Sequence, residues 1–401
     1  MSINFQNIYE QIKVIGSKIQ DNQMELNERR SLAIQLLLQN AGNLDWLRSK
    51  VERAREIDPG LRCAIPVHEP LDFHAPPPVL PERMTLISAD GSQILPDRHK
   101  MLQYGLINVG SIVFKLNSGA APEVVTDSHL LFDEGLYTTS GGPMTDGMLA
   151  LQRDTEERTC LLDLAEKVGG DDAPIVSFSD GPIELWGKLE GEDAVEFARS
   201  LKKYLGILSG LEEKNVITAG YIDKPAADLF VRLLELSIAT DDDLQKLRDF
   251  HPLRGVKDLW LFGGKQMPLL KPEERSAVFG LQSRAEKDYQ GKLGLHFFYL
   301  NVSADERHPK IARVDIPGWV AEDGASLGLL HAALIQQCSL MGAHPYPYLL
   351  HRAHETAVVT RDETQQLDQL LALMVRNRGG EVGDESGKQT AKDGRGRTRY
   401  Q

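Results

Sequence analysis

Isoleucines at positions 8, 12, 15 and 19 recur at intervals of four, three and four, which places them on one stripe of a helix. Residues 25–39 keep helix-forming composition. Asn43 fits an N-cap, and Leu44, Leu47 and Val51 after it share a helix face. Residues 1–57 are therefore expected to be a helical region, either an arm for dimerisation or partner docking or a helix packed on its own domain. Periodicity stops from 58 to 83, where Pro76-Pro-Pro and Pro81 predict an extended, proline-rich linker.

From 84 onward the pattern is mixed. Short apolar runs with the length of buried strands occupy 84–89, 105–116 and 123–126, the last two separated by Asn117-Ser-Gly. A helix follows over about 144–168, with Leu149, Leu161 and Leu164 on its apolar side, then a strand at 174–179 and a helix at 193–211. A strand at 216–222, a helix at 226–238 and later strands at 295–302 and 311–316 complete the succession. A trio of hairpin-like strands followed by alternating units predicts an α/β fold: a mixed sheet flanked by helices, with an N-terminal helical extension. The main domain is expected over 84–376, and the polar, glycine-rich tail over 377–401 is expected to be disordered.

Composition changes this picture little. The chain has 401 residues, 41% hydrophobic and 26% charged, which is ordinary globular composition. No apolar run is long enough to span a membrane, and the N-terminus has no secretory pattern, so a cytoplasmic protein is expected. Cys63, Cys160 and Cys338 are scattered and have no metal-ligand spacing. A net charge of −13 argues against a nucleic-acid partner unless bound cations supply the missing positive charge. The tail partly offsets it, with Lys388, Lys392, Arg395, Arg397 and Arg399 against Asp393.

Two predicted strands end in the same chemistry: Ile87-Ser-Ala-Asp90-Gly91-Ser92 and Ser177-Phe-Ser-Asp180-Gly181-Pro182. One Asp-Gly is most simply a turn. Two of them, each closing an apolar strand and separated by a helical crossover, can present paired carboxylates at the carboxyl ends of neighbouring strands. Such strands lie ~4.8 Å apart, close enough for their carboxylates to share metal ions. Phosphodiester cleavage uses two divalent cations ~3.5–4 Å apart, and carboxylates suit Mg²⁺ or Mn²⁺. A third carboxylate is expected from the intervening helix, where Glu157 sits beside the apolar stripe and Glu156 is the next candidate. His351 and His354 lie at i, i+3 on a presumed helix and can ligate a metal or move a proton. Tyr221 and Lys224, after another strand, can hold phosphate, and Arg275 and Arg313 can line a DNA groove. Phe297-Phe-Tyr reads as core strand, and no Gly-Lys-Ser/Thr phosphate loop occurs, so ATP hydrolysis by this chain is not expected.

Seven segments, in order, resemble the NurA nuclease family: Ser88-Ala-Asp-Gly-Ser, Ser179-Asp-Gly-Pro, Gly220-Tyr-Ile-Asp-Lys-Pro, Glu274-Arg-Ser-Ala-Val-Phe, Phe297-Phe-Tyr-Leu-Asn-Val, Ala312-Arg-Val-Asp-Ile-Pro and the stretch from His344 to His354. The resemblance covers roughly 84–360. It implies an RNase H-like (PIWI-like) core, a homodimer, and cleavage of DNA with Mn²⁺ preferred over Mg²⁺. It also implies single-strand endonuclease and 5′-to-3′ exonuclease activity, and partnership with a HerA-type hexameric ATPase in end resection and double-strand break repair. Through it, Asp90 and Asp180 match the family aspartates, a glutamate of the 153–157 region the helix glutamate, His354 the late histidine, and Tyr221 a further site position. The expected metal set is Asp90, Glu157, Asp180 and His354, with Lys224 and Arg313 on the substrate. A catalytically silent adaptor that docks DNA or the ATPase is the alternative.

Overall fold

A computed structural model describes residues 4–97, 102–138, 141–169, 173–187, 192–264 and 268–379. The chain opens with helices α1 (Phe5–Asn40) and α2 (Leu44–Ile57), then short strands β1 (Cys63–Pro66) and β2 (His74–Ala75). Three long strands follow, β3 (Thr85–Ile94), β4 (Gly105–Lys115) and β5 (Glu123–Leu131), and then helix α3 (Asp146–Val168). Strand β6 (Ile175–Asp180), helix α4 (Glu192–Glu213), strand β7 (Ile217–Ile222) and helices α5 (Leu229–Ile238), α6 (Asp241–Gln245) and α7 (Asp258–Gly263) come next. Strands β8 (Arg275–Ser276), β9 (Phe279–Gln282), β10 (Leu295–Asn301) and β11 (Ile311–Pro317) precede helices α8 (Gly318–Ala321), α9 (Gly324–Ser339), α10 (Tyr348–Ala357) and α11 (Arg361–Asn377). No helix among the described residues is long and apolar enough to cross a membrane.

The chain divides into two compact units that do not follow the expected boundaries. One joins residues 1–80, 181–183 and 220–346; the other joins 81–180, 184–219 and 347–401. In the first unit, the stretch read as a linker contributes β1, which pairs antiparallel with β9, and buries Leu61, Cys63, Ala64 and Leu71. Its proline content keeps it extended, and an extended chain is free to join a sheet edge. The same unit has an aromatic centre: Phe230 lies against Phe262 and Phe279, and Tyr299 stacks on Phe262 at 4.3 Å between centroids. Buried Asp258 accepts the backbone N–H groups of Phe230 (3.0 Å) and Val231 (2.8 Å) and the Tyr299 hydroxyl, so it caps α5 from a distance. The N-terminal helix forms as the isoleucine spacing predicts, but Ile8, Ile12 and Ile19 are exposed along it.

The second unit carries the fold expected from the sequence. Strands β3 and β4 pair antiparallel, as do β4 and β5, and β3 pairs parallel with β6 after the α3 crossover. Across the sheet the order is β5, β4, β3, β6 and then the start of β7, so the strands lie third, second, first, fourth and fifth. This mixed sheet with its right order of antiparallel and parallel strands is the RNase H-like arrangement. Strand alternation decides which helix covers which face. Asp90, Ser92, Asn108 and Gly110 face α10: the Ser92 hydroxyl (2.5 Å) and Asn108 amide (2.7 Å) donate to the Ala357 carbonyl. Gly91 points the other way, toward α3. The tail expected to be disordered lies, from 380 on, outside the described residues, as do its basic side chains.

Candidate metal centre

The site forms where β3 and β6 run side by side. Their register pairs Ala89 with Ser179, so Asp90 and Asp180 are the next residues along two adjacent parallel strands. The two Asp-Gly pairs then part company. Gly181 has φ +83° and makes the expected sharp turn after β6. At Asp90-Gly91 no turn occurs: β3 runs on to Ile94, held by antiparallel pairing with β4 as far as Ile94↔Leu106. The ladder outweighs the local turn preference of Asp-Gly.

What Gly91 supplies is space. A Cβ there would lie 2.7 Å from both Glu157 Oε1 and Arg153 Cγ, so α3 rests directly on this residue. Helix α3 is fixed at its start by Thr145, whose hydroxyl accepts the Met148 N–H. It buries Leu149, Leu161, Leu164 and Ala165 on the sheet, and this packing turns Glu157 inward until it is only 6% exposed. Burial above all, then the neighbouring Asp154, with a further contribution from Asp90, pushes the Glu157 carboxyl up to about 8 against the opposing pull of Arg158 and Arg153. Glu156 points away from Gly91: it pairs with Lys203 at 3.0 Å, lines a cavity of about 370 Å³ with Met148 and Arg199, and borders a second one with Val109 and His129. The helix thus offers Glu157, not Glu156, to Gly91.

Helix α10 delivers the histidine from the other face. Gly110, directly opposite Asp90 in the β3–β4 ladder, has no room for a side chain: a Cβ would lie 2.5 Å from Ala357 N and 2.6 Å from Ala353 O. That close approach sets His354 Nδ1 2.6 Å from Asp90 Oδ2, while the ring stays 64% exposed. His351 turns instead to Glu355 on its own helix, at 3.4 Å. Sequence reading gave Gly110 no role, although an isolated glycine inside an apolar strand signals a close backbone approach.

The other expected site residues belong to the first unit, and two of them differ from expectation. Tyr221 is fully buried, its ring edge-on to Tyr346 at 5.4 Å and its hydroxyl beside the Cys338 thiol. Arg313 is 7% exposed, engages Asp315 through Nε–Oδ1 at 2.8 Å, and lies over the Phe297 ring. Neither offers its polar group to a substrate; both sit on strands whose neighbours bury them. Arg275 is likewise held by Glu69 (2.8 Å) over Phe73, and the Phe297-Phe-Tyr run is fully buried. Lys224 is exposed, on a backbone with φ +46°.

Asp90, Glu157, Asp180 and His354 provide hard oxygen donors and one imidazole, a set that suits Mn²⁺ or Mg²⁺. Glu157 is the test of fit: a carboxylate sealed beside two others is stabilised as an anion by a cation at that spot. As arranged, no three His, Cys, Asp or Glu side chains among the described residues converge into a ready cage.

A family model described as the NurA domain matches residues 84–359. Among solved structures, one described as the crystal structure of NurA is similar at 11% identity, over 76% of this chain and 91% of that one, with a TM-score of 0.41. An Argonaute, Aa-Ago with externally bound siRNA, is similar at 12% identity over 72% and 28% of the two chains, with a TM-score of 0.29. A type 1 RNase H with the type 2 active-site motif follows at 16% identity over 33% and 61%, with a TM-score of 0.19. At such scores these likenesses carry no weight beside the strand order. A comparison with curated protein sequences gives no match.

Proposed function

Because the chain belongs to the NurA domain family, we propose that it is a metal-dependent deoxyribonuclease with its active centre at Asp90, Glu157, Asp180 and His354. Family membership supports the coarser statement, a nuclease-type hydrolase. The observation that carries the finer one is the in-register placement of Asp90 and Asp180, with His354 on Asp90 from one face and Glu157 over Gly91 from the other.

Bound Mn²⁺ or Mg²⁺, two ions per site, would supply the positive charge that activates water and stabilises the leaving oxygen. The chain's part is to hold and orient. Asp90 presents its carboxylate from within β3 and Asp180 from the end of β6, and Glu157 adds a third that burial shields from bulk water. His354, tethered through Nδ1 to Asp90, is exposed enough to reach a scissile phosphate and to hold or pass a proton there. Lys224 keeps its proposed contact with the DNA backbone; Tyr221 and Arg313 do not keep theirs. Single-strand endonuclease and 5′-to-3′ exonuclease activity, a homodimer, and work with a HerA-type hexameric ATPase in end resection complete the proposal, on the family's account.

The test is Mn²⁺-dependent cleavage of single- and double-stranded DNA by the full chain, beside Asp90→Ala, with and without a HerA-type ATPase. Removing a carboxylate from a two-metal site abolishes cleavage. If the wild type cleaves under none of these conditions, the protein is an adaptor and the nuclease reading fails.

A further inference from the structure

Arg153 lies one turn before Glu157 on α3, and the two side chains share the space over Gly91. Its Nη2 is 2.7 Å from Asp154 Oδ1, and its Nε is 3.3 Å from Glu157 Oε1. Asp90 also attracts it. A cation of the protein's own therefore stands among the carboxylates that the preceding reading assigns to metal. Its hold is limited. The side chain is 31% exposed, carries a single delocalised charge, and loses rotamer freedom to stay in place. A divalent ion binds hard oxygens more strongly and brings twice the charge. Once displaced, the long Arg153 side chain remains at the mouth of the site, where a guanidinium matches a phosphodiester.

We infer that Arg153 is a displaceable counter-ion: it competes with the divalent cation for Glu157 and, when displaced, contacts the DNA backbone. This inference rests on the metal-dependent nuclease reading. It assigns Arg153 two effects of opposite sign, on metal affinity and on DNA affinity, which a merely structural arginine would not show.

The experiment compares wild type, Arg153→Gln and Arg153→Lys as full chains, with circular dichroism to verify the fold. Arg153→Met, which keeps the stem over Gly91, replaces the Gln variant should that fail to fold. Calorimetric titration with Mn²⁺ alone should show Arg153→Gln binding about 3- to 10-fold more tightly than wild type, the scale of losing one partly screened charge. Arg153→Lys should stay near wild type. Binding of a fluorescent single-stranded oligonucleotide is then followed in Ca²⁺ across a salt series. The slope of log affinity against log salt should fall by roughly 0.7–1 in the Gln variant and be kept by Lys. Unchanged or weaker Mn²⁺ binding by Arg153→Gln overturns the inference, as does an unchanged salt slope. No Mn²⁺ binding by the wild type instead overturns the metal-dependent reading beneath it.

Discussion

Gly110→Ala tests the geometry of the site without touching any proposed ligand. The added Cβ would meet backbone only: Ala357 N at 2.5 Å, Ala353 O at 2.6 Å and Thr356 C at 2.8 Å. Real Cβ contacts begin at 3.0–3.4 Å, so α10 must lift off β4 by about 0.5–0.9 Å. No flexible side chain is available to yield instead. Overpacking of this kind costs about 1–3 kcal/mol. The larger effect falls on His354, which adjoins Ala353 and holds Asp90 through a 2.6 Å bond. A lift of that size stretches the bond to about 3.1–3.5 Å, the weak end of hydrogen-bonding range, and is expected to lower cleavage roughly 10- to 100-fold. The assay pairs Mn²⁺-dependent cleavage rates with thermal unfolding of the same preparations. Gly206→Ala, in the middle of α4 with nothing within 4 Å of its Cβ, is the control; it should gain about 0.5–1 kcal/mol and keep full activity. Wild-type cleavage and wild-type Tm in Gly110→Ala would refute the claim that α10 is seated by that glycine.

Three further outcomes follow from the same geometry. Asp90→Ala should abolish cleavage while leaving the far-UV circular dichroism spectrum unchanged, since the ten-pair β3–β4 ladder does not depend on the Asp90 side chain. Glu157→Gln should cut Mn²⁺-dependent cleavage by at least about 100-fold, whereas Glu156→Gln, which loses only an exposed pair with Lys203, should stay within about twofold of wild type; equal effects would sink the choice of Glu157. His331 is buried and bonds through Nε2 to the Glu273 carbonyl, and burial holds it down to about 4, below its ordinary 6.5. Because the folded state resists a proton that the unfolded state accepts, its stabilising share is present above pH 6.5 and is lost as pH falls toward about 4, on the order of 3 kcal/mol in all. The Tm advantage of wild type over His331→Gln should shrink across that interval, and an advantage that is flat with pH would contradict the assignment.

The sequence revealed β4 and α3 to within two residues, because each is a strongly patterned run, whereas β3 and β5 run five residues beyond the expected ends at 89 and 126. Helix periodicity sets Glu157 beside the apolar stripe without separating it from Glu156, and only the packing of α3 over Gly91 shows which of the two is buried there. What sequence could not show depended on distant partners. Ten consecutive pairs with β4 carry β3 through a dipeptide whose local preference is a turn. Tyr221 and Arg313 have the chemistry of phosphate-binding groups, and only their sheet neighbours reveal that both are enclosed. The stretch at 58–83 has no periodicity of its own, and it gains order from β9, more than two hundred residues on.

The hydrogen bond between Asp90 and His354 spans 264 residues of chain. During translation at ~5–20 residues per second, the strand carrying Asp90 leaves the ribosome roughly 15–50 s before the helix that completes its surroundings. A nascent chain therefore displays the strand aspartates without their histidine, so the order of synthesis itself withholds the Asp90–His354 pair until α10 has been made.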